Sequence, residues 1–213
     1  MTSSTKEERL AGTLILSQFK MFNEAVVVFE KQIEPAFWKG FDRCIQRFIK
    51  DNGWEGEVGF VPKGYCWLAP KAWKLEGGDW KYWFETHTRG DDSVDYSLAT
   101  LAGVGTERAE LGFCFEIRPR RFGGAKKLGA YLNARDPQCR EQLVAMDFED
   151  LTKGNYFLPF TVDINLVAEC WQEYGEFPED HEVFNKLSAA LDTLREAIFI
   201  FDEMFSAFTE PDE

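Results

Sequence analysis

From Phe184 to Phe208 apolar residues return at alternating spacings of three and four: Phe184, Leu187, Leu191, Leu194, Ile198, Phe201, Phe205 and Phe208. A seam sustained over that length fits a helix with one buried face. Glu179, Asp180 and Glu182 fall where its first turn is expected, and carboxylates there meet the positive end of the helix dipole. Pro178 stands where a helix start tolerates proline. The pattern predicts a helix from about Asp180 to Phe208.

A second seam lies at the other end. Ile15, Phe19, Phe22, Val26, Phe29 and Ile33 alternate four and three until Pro35, which either kinks the helix or opens a new one. Phe37, Phe41, Cys44, Ile45 and Phe48 resume an apolar face, and Asn52-Gly53 stops it. Two terminal seams imply helices that pack on each other or share one side of a sheet. The competing reading is that one seam is exposed and pairs two copies, so monomer and homodimer both stay open.

Between the helical ends the pattern changes. Five of the seven tryptophans (Trp54, Trp67, Trp73, Trp80, Trp83) fall in 54–118 among turn-forming glycines. Val58–Val61, Tyr65–Ala69, Trp80–Thr88 and Leu111–Arg118 read as strands, the last with a clear period of two, and Tyr96–Leu101 as an added edge strand. Strands without intervening helices imply an antiparallel meander. Beyond Pro119 a helix is expected around Ala125–Asn133, then one opened by Asp136-Pro137, a strand Tyr156–Val162 confined to an edge by Pro159, and a short helix capped by Asp163 and ended by Gly175. The expected fold is a single α+β domain: an antiparallel sheet of about five strands, covered on one face by long N- and C-terminal helices. Its parts are N-terminal helices (1–53), meander (54–118), mixed helices with one strand (119–175), and the C-terminal helix with an acidic tail (176–213).

Composition bounds the function classes. With 45% hydrophobic and 15% aromatic residues the chain is not of the disordered class. No apolar run approaches the roughly 20 residues that span a bilayer, so no membrane partner is expected. The polar start lacks the apolar core of a signal peptide, and five cysteines without CxxC spacing fit free thiols in a reducing cytosol. Charge is uneven: residues 141–213 hold 3 Lys/Arg against 18 Asp/Glu, a net −15 beside −13 for the whole chain. Such a surface either serves solubility or attracts a basic protein partner, and Glu173, Glu176, Glu179 and Asp180 are its densest group.

Catalytic signals are sparse. There are only two histidines, His87 and His181, and neither sits in a nucleophile motif. His87 precedes Asp91 and Asp92, a weak metal-ligand set that is equally turn chemistry. Asp95, Glu116 and Arg118 have the order of a metal-dependent nuclease triad, but arginine stands where a lysine would activate water. Arg118, Arg120, Arg121, Lys126 and Lys127 bracket Phe122-Gly123-Gly124, and could meet a phosphate or nucleic acid or neutralise acidic surface. No cofactor is implied and no motif identifies a family. The leading expectation is a non-enzymatic interaction protein of the inhibitor, immunity-protein or nucleic-acid-mimic kind. The alternatives are a phosphodiesterase or nuclease using Asp95 and Glu116, and a nucleic-acid accessory protein using residues 118–127.

Overall fold

Helix α9, Asn185–Phe205, carries the C-terminal seam on a wider arc than the heptad implies. Leu187, Leu191, Leu194, Phe201 and Phe205 are buried, and Ala190, Ala197, Ile200 and Met204 join them, while Ile198 is only half-buried. An α-helix turns every 3.6 residues rather than 3.5, so a strict heptad stripe drifts off a flat sheet. The computed structural model describes residues 5–90, 95–105, 109–134 and 137–206, so Phe208, Asp136 and the tail beyond Ser206 lie outside the described residues.

The sheet has six antiparallel strands in the order β1-β2-β3-β4-β6-β5. They are β1 Trp54–Gly59, β2 Tyr65–Pro70, β3 Tyr82–Arg89, β4 Glu110–Ile117, β5 Glu149–Asp150 and β6 Tyr156–Pro159. β3 and β4 pair along their full length, from Tyr82 opposite Ile117 to Arg89 opposite Glu110. One face of the sheet is apolar through Trp54, Leu68, Phe84, Phe113, Phe115 and Leu158, and α3 (Glu34–Asp51) and α9 supply the buried side chains opposite. Phe201 stacks on Phe115 at 3.8 Å and 7° between ring planes. Trp73 closes the same cluster while its indole N–H donates to Asp202 at 2.8 Å, so its one polar atom is satisfied. Thr86, a buried polar residue, bonds both the N–H and the C=O of Cys66. α3 also meets the entry to α9, with the rings of Phe37 and of Phe184, the residue before α9, 5.5 Å apart.

Four expectations change. The N-terminal seam is not folded onto the domain along its length: α1 (Lys6–Ser17) and α2 (Phe19–Val28) bury no residue, and only α3 packs on the sheet. Between them Phe29–Ile33 forms a π-helical turn, Glu34 N–H reaching Phe29 O. Pro35 follows at once and has no N–H to donate back to Lys31, so the wider turn absorbs the break. Tyr96–Leu101 is not a strand: α5 is a short helix, Ser97–Leu101, whose Leu98 and Leu101 are buried. β1 starts at Trp54, and residues Phe60–Lys63 form a single helical turn (α4) whose first N–H is held by Asp42. Finally, β6 is not an edge strand. The two-residue β5 pairs with Phe157 and Tyr156 and stops short of Pro159, whose missing N–H therefore faces no partner strand.

The remaining helices are α6 (Ala125–Asn133), α7 (Gln138–Ala145) and α8 (Ile164–Tyr174). All five cysteines are free. Burial pushes the Cys66 thiol up to about 12 and raises the Cys114 thiol as well, which disfavours the thiolate at both. Among the described residues no helix is long and apolar enough to cross a membrane.

Candidate functional site

α8 starts at Asp163, whose carboxylate caps Asn165 N–H at 2.8 Å, and ends at Gly175 in the left-handed region (φ 63°). Its apolar face buries Val167 and Cys170, which leaves Glu169 and Glu173 on the solvent side. The chain then turns through Glu176–Glu182. From Asp163 to Glu182 there are seven carboxylates and no lysine or arginine. Glu173, Glu176 and Asp180 are exposed; they sit on the end of α8 and in this turn, not in the first turn of the last helix, which begins at Asn185 without an acidic residue.

The turn is held firmly. Phe177 is fully buried and meets Phe37 edge-on at 5.3 Å. Gly40, in the middle of α3, lets the Phe177 carbonyl approach so closely that a Cβ there would stand 2.4 Å from its oxygen. Arg43 donates to that same carbonyl at 3.2 Å, and Arg47 donates to Glu179 O at 3.1 Å while pairing with the Glu179 carboxylate at 3.5 Å. His181 accepts from Val183 N–H through Nδ1 and caps the short turn that leads into α9. Glu179 is thus compensated by Arg47, whereas Glu173, which accepts from the neighbouring Tyr174 hydroxyl, Glu176 and Asp180 are exposed with no Lys or Arg within salt-bridge distance among the described residues.

A second group lies on the other face of the sheet. Trp83, Glu85 and His87 alternate out of β3, and Cys114 and Glu116 out of β4, with Trp83 opposite Glu116 and Glu85 opposite Cys114. His87 Nε2 lies 3.6 Å from Glu116 and 3.9 Å from Glu85. Trp83 N–H donates to Glu85 at 2.9 Å and Asn155 to Glu116 at 3.2 Å. Trp67 and Trp80 flank the group, rings 5.3 Å apart. The period of two places Glu85 and His87 on one strand face, but Asn155 comes from the β5–β6 turn and no local pattern announces it.

Asp95 sits instead against Gly105, in the segment leading into α5, where a Cβ on the glycine would meet its carboxylate at 2.6 Å. The groups gathered around Glu116 are His87, Glu85 and Asn155 rather than the residues of the nuclease triplet. Arg118 lies over the Trp83 ring at 5.3 Å and binds Asp79 at 2.6 Å. Arg121 and Arg120 reach the same carboxylate at 2.7 and 3.8 Å. The hydrogen bond from Arg121 is the main cause that holds the Asp79 carboxyl below its usual range. Much of the basic cluster therefore closes the Gly77-Gly78 turn and not the acidic third; Lys126 and Lys127, at the start of α6, are exposed. Asp91 and Asp92 lie outside the described residues, and among the described residues no three His, Cys, Asp or Glu side chains are grouped closely enough to hold a metal.

No family model matches the chain, and no curated protein or solved structure shows significant similarity to it.

Proposed function

We propose that this protein is a non-enzymatic interaction module that docks a basic protein partner through the ridge formed by α8 and the following turn. One observation carries the reading: seven carboxylates without a lysine or arginine from Asp163 to Glu182, of which Glu173, Glu176 and Asp180 are exposed on a turn pinned to α3. Fixed like charges raise the local potential and steer a cationic surface, and a rigid ridge loses little entropy when the partner arrives. Interaction with a phosphate backbone is disfavoured there by sign.

Capture from the source lysate tests it with two baits, wild type and the Glu173→Lys/Glu176→Lys/Asp180→Lys variant. Glu179 is left alone because Arg47 already offsets it. A partner retained by wild type at low salt should be lost from the variant and released as salt rises, since screening shortens the electrostatic reach from roughly 30 Å at 0.01 M to roughly 8 Å at 0.15 M. Equal capture by both baits with equal salt dependence would reduce the ridge to a solubilising surface.

The His87–Glu116 contact favours a second, enzymatic reading, in which the carboxylates on the sheet face act on a phosphodiester. The groups on that face are bonded to one another, Trp83 to Glu85 and Asn155 to Glu116. The expectation is therefore that DNA and RNA stay intact with Mg²⁺ or Mn²⁺. Metal-dependent cleavage by wild type that Glu116→Gln abolishes would promote this reading over the first.

A further inference from the structure

α1 opens with a capping box, Thr5 and Glu8 bonding each other's backbone N–H, and continues through a slight break at Gln18 into α2. The two helices make an arm of about 35 Å, at 1.5 Å rise per residue. Its base is anchored: Phe29 and Ile33 pack on the core, the Phe29 ring meets Tyr96 at 4.6 Å and the Tyr96 hydroxyl donates to Glu30 at 2.8 Å. Nine of the seventeen exposed large apolar side chains among the described residues fall between Leu10 and Val28; Leu16 is 71% exposed and Phe19 58%. A helix of this length with no packed face is marginal in water, all the more with Val26, Val27 and Val28 in a row, so the arm needs cover.

We propose that the cover is a second copy of this chain, the two arms pairing along the Ile15–Phe19–Phe22–Val26 seam to make a homodimer. Three observations choose this occupant. The alternation of four and three is the 3.5-residue period that two helices share when each inserts its stripe into the other, and an identical helix meets that requirement through two-fold symmetry. The arm from Lys6 to Val28 holds three basic and three acidic residues, two of them a Lys20–Glu24 pair at 3.7 Å. It therefore has no net charge to select a charged protein or the anionic lipid that surface-lying helices recognise with a basic polar face. The stripe itself is also open, with Ile15 39%, Phe19 58% and Phe22 43% exposed, so the matching stripe of a symmetry-related arm can insert along it. Phe29 and Ile33 are already covered by the domain, so its own fold uses the base of the seam and leaves the rest for the second chain.

This pairing is independent of the acidic ridge, and salt separates the two. Raising ionic strength weakens docking to a basic partner but leaves or strengthens an apolar seam between two chains that each carry −13. The test is sedimentation equilibrium of the full chain, wild type and Phe19→Glu/Phe22→Glu, at low and high salt, with urea unfolding of each. Expected are a wild-type mass twice 24.6 kDa that persists at high salt, and a variant at 24.6 kDa whose core unfolds at the same urea concentration, because neither phenylalanine touches the core. A wild-type monomer at every concentration up to the millimolar range overturns the proposal. So does a variant that stays dimeric, or a monomeric wild type that floats with zwitterionic vesicles.

Discussion

Phe201→Asp is expected to leave no cooperatively folding domain. The Phe201 side chain is fully buried, stacked on Phe115 and within 5.8 Å, ring to ring, of Phe84, Tyr156 and Phe148. Aspartate there removes the ring, which in comparable cores costs about 3–5 kcal/mol on truncation alone. It also strands a carboxylate among apolar side chains at several kcal/mol more. Together these approach the 5–15 kcal/mol that holds an ordinary domain together. Circular dichroism should show no sigmoidal urea transition, while Phe201→Ala should still fold with a midpoint lowered in proportion to about 3–5 kcal/mol. A cooperative, wild-type-like transition in Phe201→Asp would mean that α9 does not lie on β4 as described.

Gly40→Val is the second large effect, and it runs against helix propensity. Glycine inside a helix costs roughly 0.5–1 kcal/mol relative to alanine, so a larger residue in α3 would ordinarily help. Here the new Cβ would stand 2.4 Å from Phe177 O and 2.9 Å from Phe177 Cβ. A carbonyl held by Arg43 has nowhere to go, and overpacking of this kind costs about 1–3 kcal/mol or more. The turn carrying Glu176, Glu179 and Asp180 must shift with Phe177. The expected result is a melting temperature lowered by several degrees together with weaker capture of whatever basic partner wild type retains, although no charge has changed. A variant as stable as wild type would show that α3 and the turn are not in this contact.

The sheet-and-helix architecture could be read from the chain because its causes are local. Side chains alternate along a strand and recur every 3.6 residues along a helix, so Leu111–Ile117 and Leu187–Phe205 announce their own structure. Leu98 and Leu101 show the limit. In Tyr96–Leu101 the apolar positions are too few to separate a period of two from one of three to four, and burial beneath the end of β4 and Val162 settled it as a helix. β5 was invisible for the same reason, since two residues carry no period at all.

The candidate surfaces divide along the same line. The carboxylates of residues 163–182 are a matter of composition, and their run without a lysine or arginine is a property of the chain in any fold. Which of them remain free is not: Arg47 is 132 residues from Glu179, and only the docking of α3 beside the turn brings the two together. The same holds for Asp79, which three arginines from 39 to 42 residues further on surround, so that a basic cluster in sequence is largely a closed turn in space. The two seams make the contrast most directly. Their spacing told that Ile15–Ile33 and Leu187–Phe205 are helical with an apolar stripe, because periodicity is written residue by residue. That α9 buries its stripe while α1 and α2 leave theirs in solvent depends on which helix meets the sheet and on contacts such as Phe29 with Tyr96, which join residues far apart in the chain and which no short window of sequence contains.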